Sequence, residues 1–228
     1  STFPLNPSTN WHAMYTLVIG NKNYSSWSLR GWLLLRQFNI NFEEVRLPLY
    51  SETFREKIKE YSPSGLVPIL VTGDQSIWDS LAICEFIAEQ HPELHCWPTD
   101  VRARAIARSV SNEMHSGFFQ IRNNLPMNCR RAKAIEASTP ELDREIARVS
   151  EIWRSCRESF GDSGSFLFGN FSIADVMYAP VVLRFKSYLI ELGVVEAECM
   201  QSMLSLASLR EWIDDALAEE EVIDLYEQ

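Results

Sequence analysis

Three short runs in this chain carry side chains that could do chemistry. The first is Tyr24-Ser25-Ser26-Trp27-Ser28-Leu29-Arg30, which places hydroxyls just ahead of Leu29, Trp32 and Leu33, apolar residues at helical spacing. A serine there is a preferred helix N-cap. A hydroxyl at a helix N-terminus can also donate to a bound anion that the helix field favours. The second run is Gly65-Leu66-Val67-Pro68-Ile69-Leu70. Proline deletes a ladder donor, so Pro68 belongs at a strand start, an edge or a bulge. With a cis bond ahead of Pro68, the Val67 N–H and C=O would be free to pair with an extended, peptide-like ligand. The third run is Ile77-Trp78-Asp79-Ser80-Leu81. Asp79 and Ser80 suit the start of a helix, and they also make an acceptor–donor pair for an amino-acid head group. His91, His95 and Cys96 come nearest to a metal-binding group, but Pro92 interrupts them and no fourth ligand lies close by, so no metal site is expected.

The elements that must position these runs are legible around them. Residues 1–14 show neither helical nor strand period and are read as an N-terminal extension. From Tyr15 the pattern alternates: a strand over Tyr15–Gly20, a helix to about Phe38, a strand over Phe42–Leu47 and an amphipathic helix over Ser51–Tyr61. A strand over Val67–Val71, a turn at Gly73-Asp74-Gln75, a short strand over Ser76–Trp78 and a helix ending near Gln90 follow. Residues 15–92 thus form a small α/β domain, 93–104 a linker, and 105–228 an all-helical domain.

In the helical half, Leu142, Ile146, Val149, Ile152, Trp153, Cys156 and Phe160 mark one face of a long helix, and Ser172–Tyr188 is apolar nearly all round. Leu206–Leu217 is amphipathic, and Glu219-Glu220-Glu221 reads as a solvated acidic tail. A helix over Arg102–Leu125 would bury Ile106, Val110, Gly117, Ile121 and Leu125 and present Arg108, Ser111, His115, Phe119 and Arg122 on the other side. That second face is either a solvated basic surface or the wall of a pocket or dimer contact, and an arginine in such a wall could hold an anionic substrate.

Composition narrows the partners. The chain has 228 residues, 21 Lys+Arg against 31 Asp+Glu, and a net charge of −10. That charge argues against nucleic acid or anionic lipid as the main partner. No apolar run is long enough for a membrane span, and no signal-peptide pattern opens the chain. Five cysteines, odd in number and scattered, read as reduced thiols in a cytoplasmic protein.

Taken together, the runs and the element order resemble the cytosolic glutathione S-transferases: a thioredoxin-like α/β domain followed by an all-α domain. A fourth match, Gly169-Asn170-Phe171-Ser172-Ile173-Ala174-Asp175, is similar to that family's capping box with hydrophobic staple. The resemblance covers about residues 15–220. It implies a homodimer that takes glutathione as cosubstrate and a small electrophile as second substrate, with no metal. It places glutathione on Ser25, Ser26, Leu66, Val67, Pro68, Asp79 and Ser80, and the electrophile near Tyr24, Trp27, His115, Phe119 and Arg122. The Ser-Ser-x-Ser-x-Arg run resembles the zeta class, which implies Ser25 as the catalytic hydroxyl, with Ser26 and Tyr24 as rivals. Trp27 stands where the zeta pattern has cysteine, a departure that bears on zeta-type isomerisation of maleylacetoacetate. Transferase, zeta-like isomerase and non-catalytic scaffold are the functions to be weighed.

Overall fold

The computed structural model describes residues 15–227; the extension read over 1–14 lies outside them. Four strands form one sheet in the order β2-β1-β3-β4: β1 Tyr15–Ile19, β2 Phe42–Arg46, β3 Ile69–Thr72 and β4 Gln75–Trp78. β1 runs parallel to β2 and antiparallel to β3, and β3 pairs antiparallel with β4. The helices interleaved with them are α1 Ser26–Gln37, α2 Glu52–Tyr61 and α3 Ser80–Gln90. Six more helices follow: α4 Val101–Ser116, α5 Phe119–Asn124, α6 Pro140–Phe160, α7 Ile173–Ser187, α8 Val194–Leu204 and α9 Ala207–Ala218. This is the expected α/β-then-α architecture. Among the described residues, no helix is long and apolar enough to cross a membrane.

The core explains the order. α1 buries nearly every side chain from Ser26 to Leu35, packing on the sheet and on α7. α7 is buried along almost its whole length. Its start is fixed by the anticipated box: the Asp175 carboxylate accepts from the Ser172 N–H at 2.9 Å and from its Oγ at 3.2 Å. A third bond, from Leu167 N–H at 3.0 Å, ties the preceding loop to the same carboxylate.

Five expectations need correction. β3 starts at Ile69, two residues later than read, because Pro68 has no N–H for the ladder. The helix read over Arg102–Leu125 breaks at Gly117-Phe118, where Phe118 takes a left-handed φ of 58°. The break puts Phe118 in the core and leaves Phe119 61% exposed. α4 also starts at Val101, inside the stretch read as linker, with Asp100 Oδ1 accepting from Ala103 N–H at 2.8 Å. Its buried face is Ala103, Ala107, Val110, Ser111 and Met114, whereas Ile106 is exposed. Small residues let α4 approach α7 closely, and a search for large apolar residues passes over them. Finally, the acidic end is not a solvated tail: the Glu219 side chain is only 7% exposed and its carboxylate accepts from the backbone N–H of Lys22 at 2.7 Å and of Asn23 at 3.0 Å.

Candidate active site

The first turn of α1 carries the serines. Ser25 is the N-cap: its Oγ accepts from Ser28 N–H at 3.4 Å and donates to Ser28 Oγ at 2.7 Å. Ser28 Oγ also accepts from Gly20 N–H at 3.0 Å, so this small network ties the strand end to the helix start. Ser26 Oγ accepts from Arg184 Nη2 of α7 at 3.2 Å. A hydroxyl of the sheet-bearing half is thus held by a guanidinium from the helical half.

Trp27 is 37% exposed and lies between two guanidiniums, Arg30 at 4.6 Å and Arg122 at 4.7 Å from its ring centre. The His115 ring meets its edge at 5.4 Å. Arg122 also caps the end of α4, its Nε donating to Gly117 O at 2.8 Å and its Nη2 to Met114 O. Arg30 is only 1% exposed, and its Nε and Nη1 have no partner; Arg184 is 6% exposed, and its Nε has none. No ion pair engages Arg30, Arg122 or Arg184 among the described residues. Burial and the neighbouring guanidiniums lower Arg30 to about 9 and Arg184 to about 10, and burial lowers Arg122 as well. These three guanidiniums therefore form a cationic cluster with no carboxylate paired to it among the described residues.

At the other edge, the Val67–Pro68 bond is cis, and Val67 lies outside the β3 ladder. The Pro68 ring packs against α1 at Gly31, where an added Cβ would stand 3.7 Å from it. Leu66 is exposed.

Asp79 takes a φ of 76°, a conformation that costs a non-glycine residue about 1–3 kcal/mol. Its Oδ1 accepts from Leu81 and Ala82 N–H at 2.9 and 3.1 Å, capping α3. Its Oδ2 faces His115 Nε2 at 3.0 Å. Burial works to raise the Asp79 pKa, but the His115 contact and the two backbone donors outweigh it and hold the carboxyl below its ordinary value. Ser80 Oγ is fully buried with no partner, an orphan hydroxyl beside that carboxylate.

The structure therefore brings together Ser25, Ser26, Trp27, Asp79, Ser80, His115 and Arg122, with Pro68 behind α1. Phe119 shares none of these contacts. Tyr24 is engaged elsewhere: its hydroxyl accepts from Arg130 Nη2 at 2.8 Å and Ile223 N–H at 3.2 Å, and donates to Glu227. Arg184 escaped the sequence reading; the available signal was a lone arginine in a helix apolar nearly all round. The five cysteines are unpaired. Burial raises them, Cys96 to about 11 and Cys156 to about 12, so none is poised as a thiolate. Among the described residues, no group of His, Cys, Asp and Glu comes together to hold a metal ion.

Comparison with known proteins agrees with this fold. The profile of the glutathione S-transferase N-terminal domain matches residues 24–90, and that of the C-terminal domain matches 136–215. A maleylacetoacetate isomerase from Mus musculus is 33% identical over 173 residues, 74% of this chain and 76% of its own. A probable maleylacetoacetate isomerase from Caenorhabditis elegans is 38% identical over 98 residues, a match spanning 43% of this chain and only 45% of the nematode protein. Among solved structures, a glutathione transferase homolog from Burkholderia with bound glutathione superposes with a TM-score of 0.66 at 20% identity, covering 91% of this chain and 100% of that one.

Proposed function

The chain belongs to the glutathione S-transferase family, and on that premise we propose that it ionises the thiol of bound glutathione and directs the thiolate at a small electrophile. The observation that carries this reading is the serine pair at the N-terminus of α1 beside three guanidiniums that have no carboxylate partner among the described residues. A free thiol has a pKa of about 8.5, and lowering it by about two units requires roughly 2.7 kcal/mol. A hydrogen bond to a charged group supplies roughly 1.5–3 kcal/mol, and a helix N-terminus adds ~0.3–1 kcal/mol. Hydroxyl and helix field together meet the requirement without a general base, and the thiol proton leaves to water.

The remaining residues fit the rest of such a peptide. The Val67 backbone lies outside the ladder, ready for strand-like pairing with an extended ligand. The Asp79 carboxylate and the orphan Ser80 hydroxyl suit the ammonium and carboxylate of an amino-acid head group. Trp27, His115 and Arg122 form the wall facing the second substrate. A cytoplasmic homodimer belongs to the same proposal and rests on family membership.

A second reading, zeta-like isomerisation, has an observation of its own. The unpaired guanidiniums of Arg122 and Arg184 would suit a carboxylate-bearing substrate, and the mouse relative is named a maleylacetoacetate isomerase. Binding and thiolate formation test the shared part. Glutathione should bind the wild type and ionise well below its free pKa, and Asp79→Ala should weaken its binding about tenfold or more. No binding at millimolar glutathione would point to a scaffold. Turnover of maleylacetoacetate without conjugation of an aryl halide would favour the isomerase.

A further inference from the structure

We infer that Ser26, not Ser25, is the hydroxyl that holds the glutathione sulfur, and that Arg184 of α7 is the positioning residue that aims it. The inference rests on the transferase reading and assigns roles within that site.

Ser25 and Ser26 are neighbours in sequence but not in bonding. Ser25 has a single proton, and it goes to Ser28 Oγ at 2.7 Å; one of its lone pairs takes the Ser28 N–H. Ser28 is itself wholly buried and bound by Gly20 N–H. Ser25 is therefore a link between the end of β1 and the start of α1, a structural cap with no proton left to offer a ligand. Ser26 is the reverse case. Its Oγ takes one N–H from Arg184 at 3.2 Å, and no acceptor among the described residues takes its own proton. An oxygen that accepts from a guanidinium on one side is oriented to donate on the other and is made a stronger donor by that charge.

Arg184 can do this because it is held without an anion of its own. The titratable groups that act on it are Arg30 of α1, Arg122 of α5, Tyr188 after α7 and Tyr226 near the chain end. No carboxylate is among them; Asp79, which acts on the neighbouring Arg30, is already bonded to His115 and to the α3 backbone. An anion beside Ser26 would thus meet a free hydroxyl, the first turn of α1 and a buried cation uncompensated by any carboxylate. The step itself is a plain ionisation: the S–H bond breaks, its proton passes to water, and the sulfur keeps the electron pair facing the Ser26 O–H. The hydroxyl comes from the sheet-bearing half and its aiming cation from the helical half, so the site is complete only where the two halves pack.

The test is the ultraviolet absorbance of bound glutathione thiolate against pH in the wild type, Ser25→Ala, Ser26→Ala, Arg184→Lys and Arg184→Met. Ser26→Ala and Arg184→Met should each raise the midpoint by about one pH unit, a tenfold loss in thiol acidity. Their combination should add little, because both act through one bond. Arg184→Lys should retain more of the effect than Arg184→Met, and Ser25→Ala should lower Tm while moving the midpoint less than Ser26→Ala does. A larger shift for Ser25→Ala than for Ser26→Ala, or an unmoved midpoint in Arg184→Met, overturns the assignment. Should Arg184→Met fail to fold, the comparison of the two alanine variants decides. Absence of any bound thiolate in the wild type at neutral pH overturns the transferase reading itself, and this assignment with it.

Discussion

Arg30 sits where almost no water reaches it, stacked on Trp27, with two of its three nitrogens unpartnered. A desolvated cation without a carboxylate costs stability, and replacing it with an apolar residue of similar length is often stabilising. Arg30→Met should therefore raise Tm by about 2–4 °C while raising the pH at which bound glutathione ionises. A fall in Tm on calorimetry would mean that Arg30 has a partner that outweighs its burial. The residues proposed to hold the peptide ligand are a different case. Asp79-Ser80 and Val67-Pro68 could be singled out from sequence because caps and prolines have local signatures. Arg184 could not, since its value comes from contact with Ser26, 158 positions away.

At the scale of elements, α7 is the post on which the helical half is built, and its N-terminal box is buried outright. Burial is the main influence on Asp175 and outweighs its three hydrogen bonds, pushing the carboxyl up to about 6 from a model-peptide value of about 3.9. A carboxyl raised on folding takes up a proton in that window. Its stabilising contribution is full below the unfolded pKa and is lost as pH rises through the folded one. The unfolding free energy of the wild type relative to Asp175→Asn should accordingly fall between pH ~4 and ~7, by an amount on the order of 3 kcal/mol. A difference that stays flat across that range would show the carboxylate ionised there without penalty. The box itself was readable in Ser172-Ile173-Ala174-Asp175. The break between α4 and α5 was not, although Gly117 marks it: a Cβ there would stand 2.9 Å from the Glu113 carbonyl. Periodicity ran straight through, because Ile121 and Leu125 continue an apolar face that only the left-handed Phe118 shows to be out of register with α4.

Across the whole molecule, the C-terminal end ties the two halves together. Glu219 caps the Lys22 and Asn23 amides, and Arg130 donates to the Glu219 and Glu221 carbonyls at 2.7 Å each. Tyr226 packs on Tyr24 at 5.6 Å and bonds Tyr50 through its hydroxyl at 2.6 Å. Truncation after Ala218 should leave the Lys22 and Asn23 amides open, so their hydrogen exchange should quicken about tenfold or more relative to the Leu17 and Val18 amides of β1. Equal protection in the shortened chain would show that the end is not what holds that loop.

The sequence alone determined the α/β-then-α order, a serine cap ahead of α1 and the caps at Asp79 and Ser172, and it singled out the residues proposed to hold glutathione, because each is written in neighbours a few positions apart. Only the tertiary structure decided that the acidic end docks, that Tyr24 is committed to it, and that Ser26 rather than Ser25 has a proton to give. Those outcomes depend on which distant charge reaches a given oxygen, and chain spacing does not encode that.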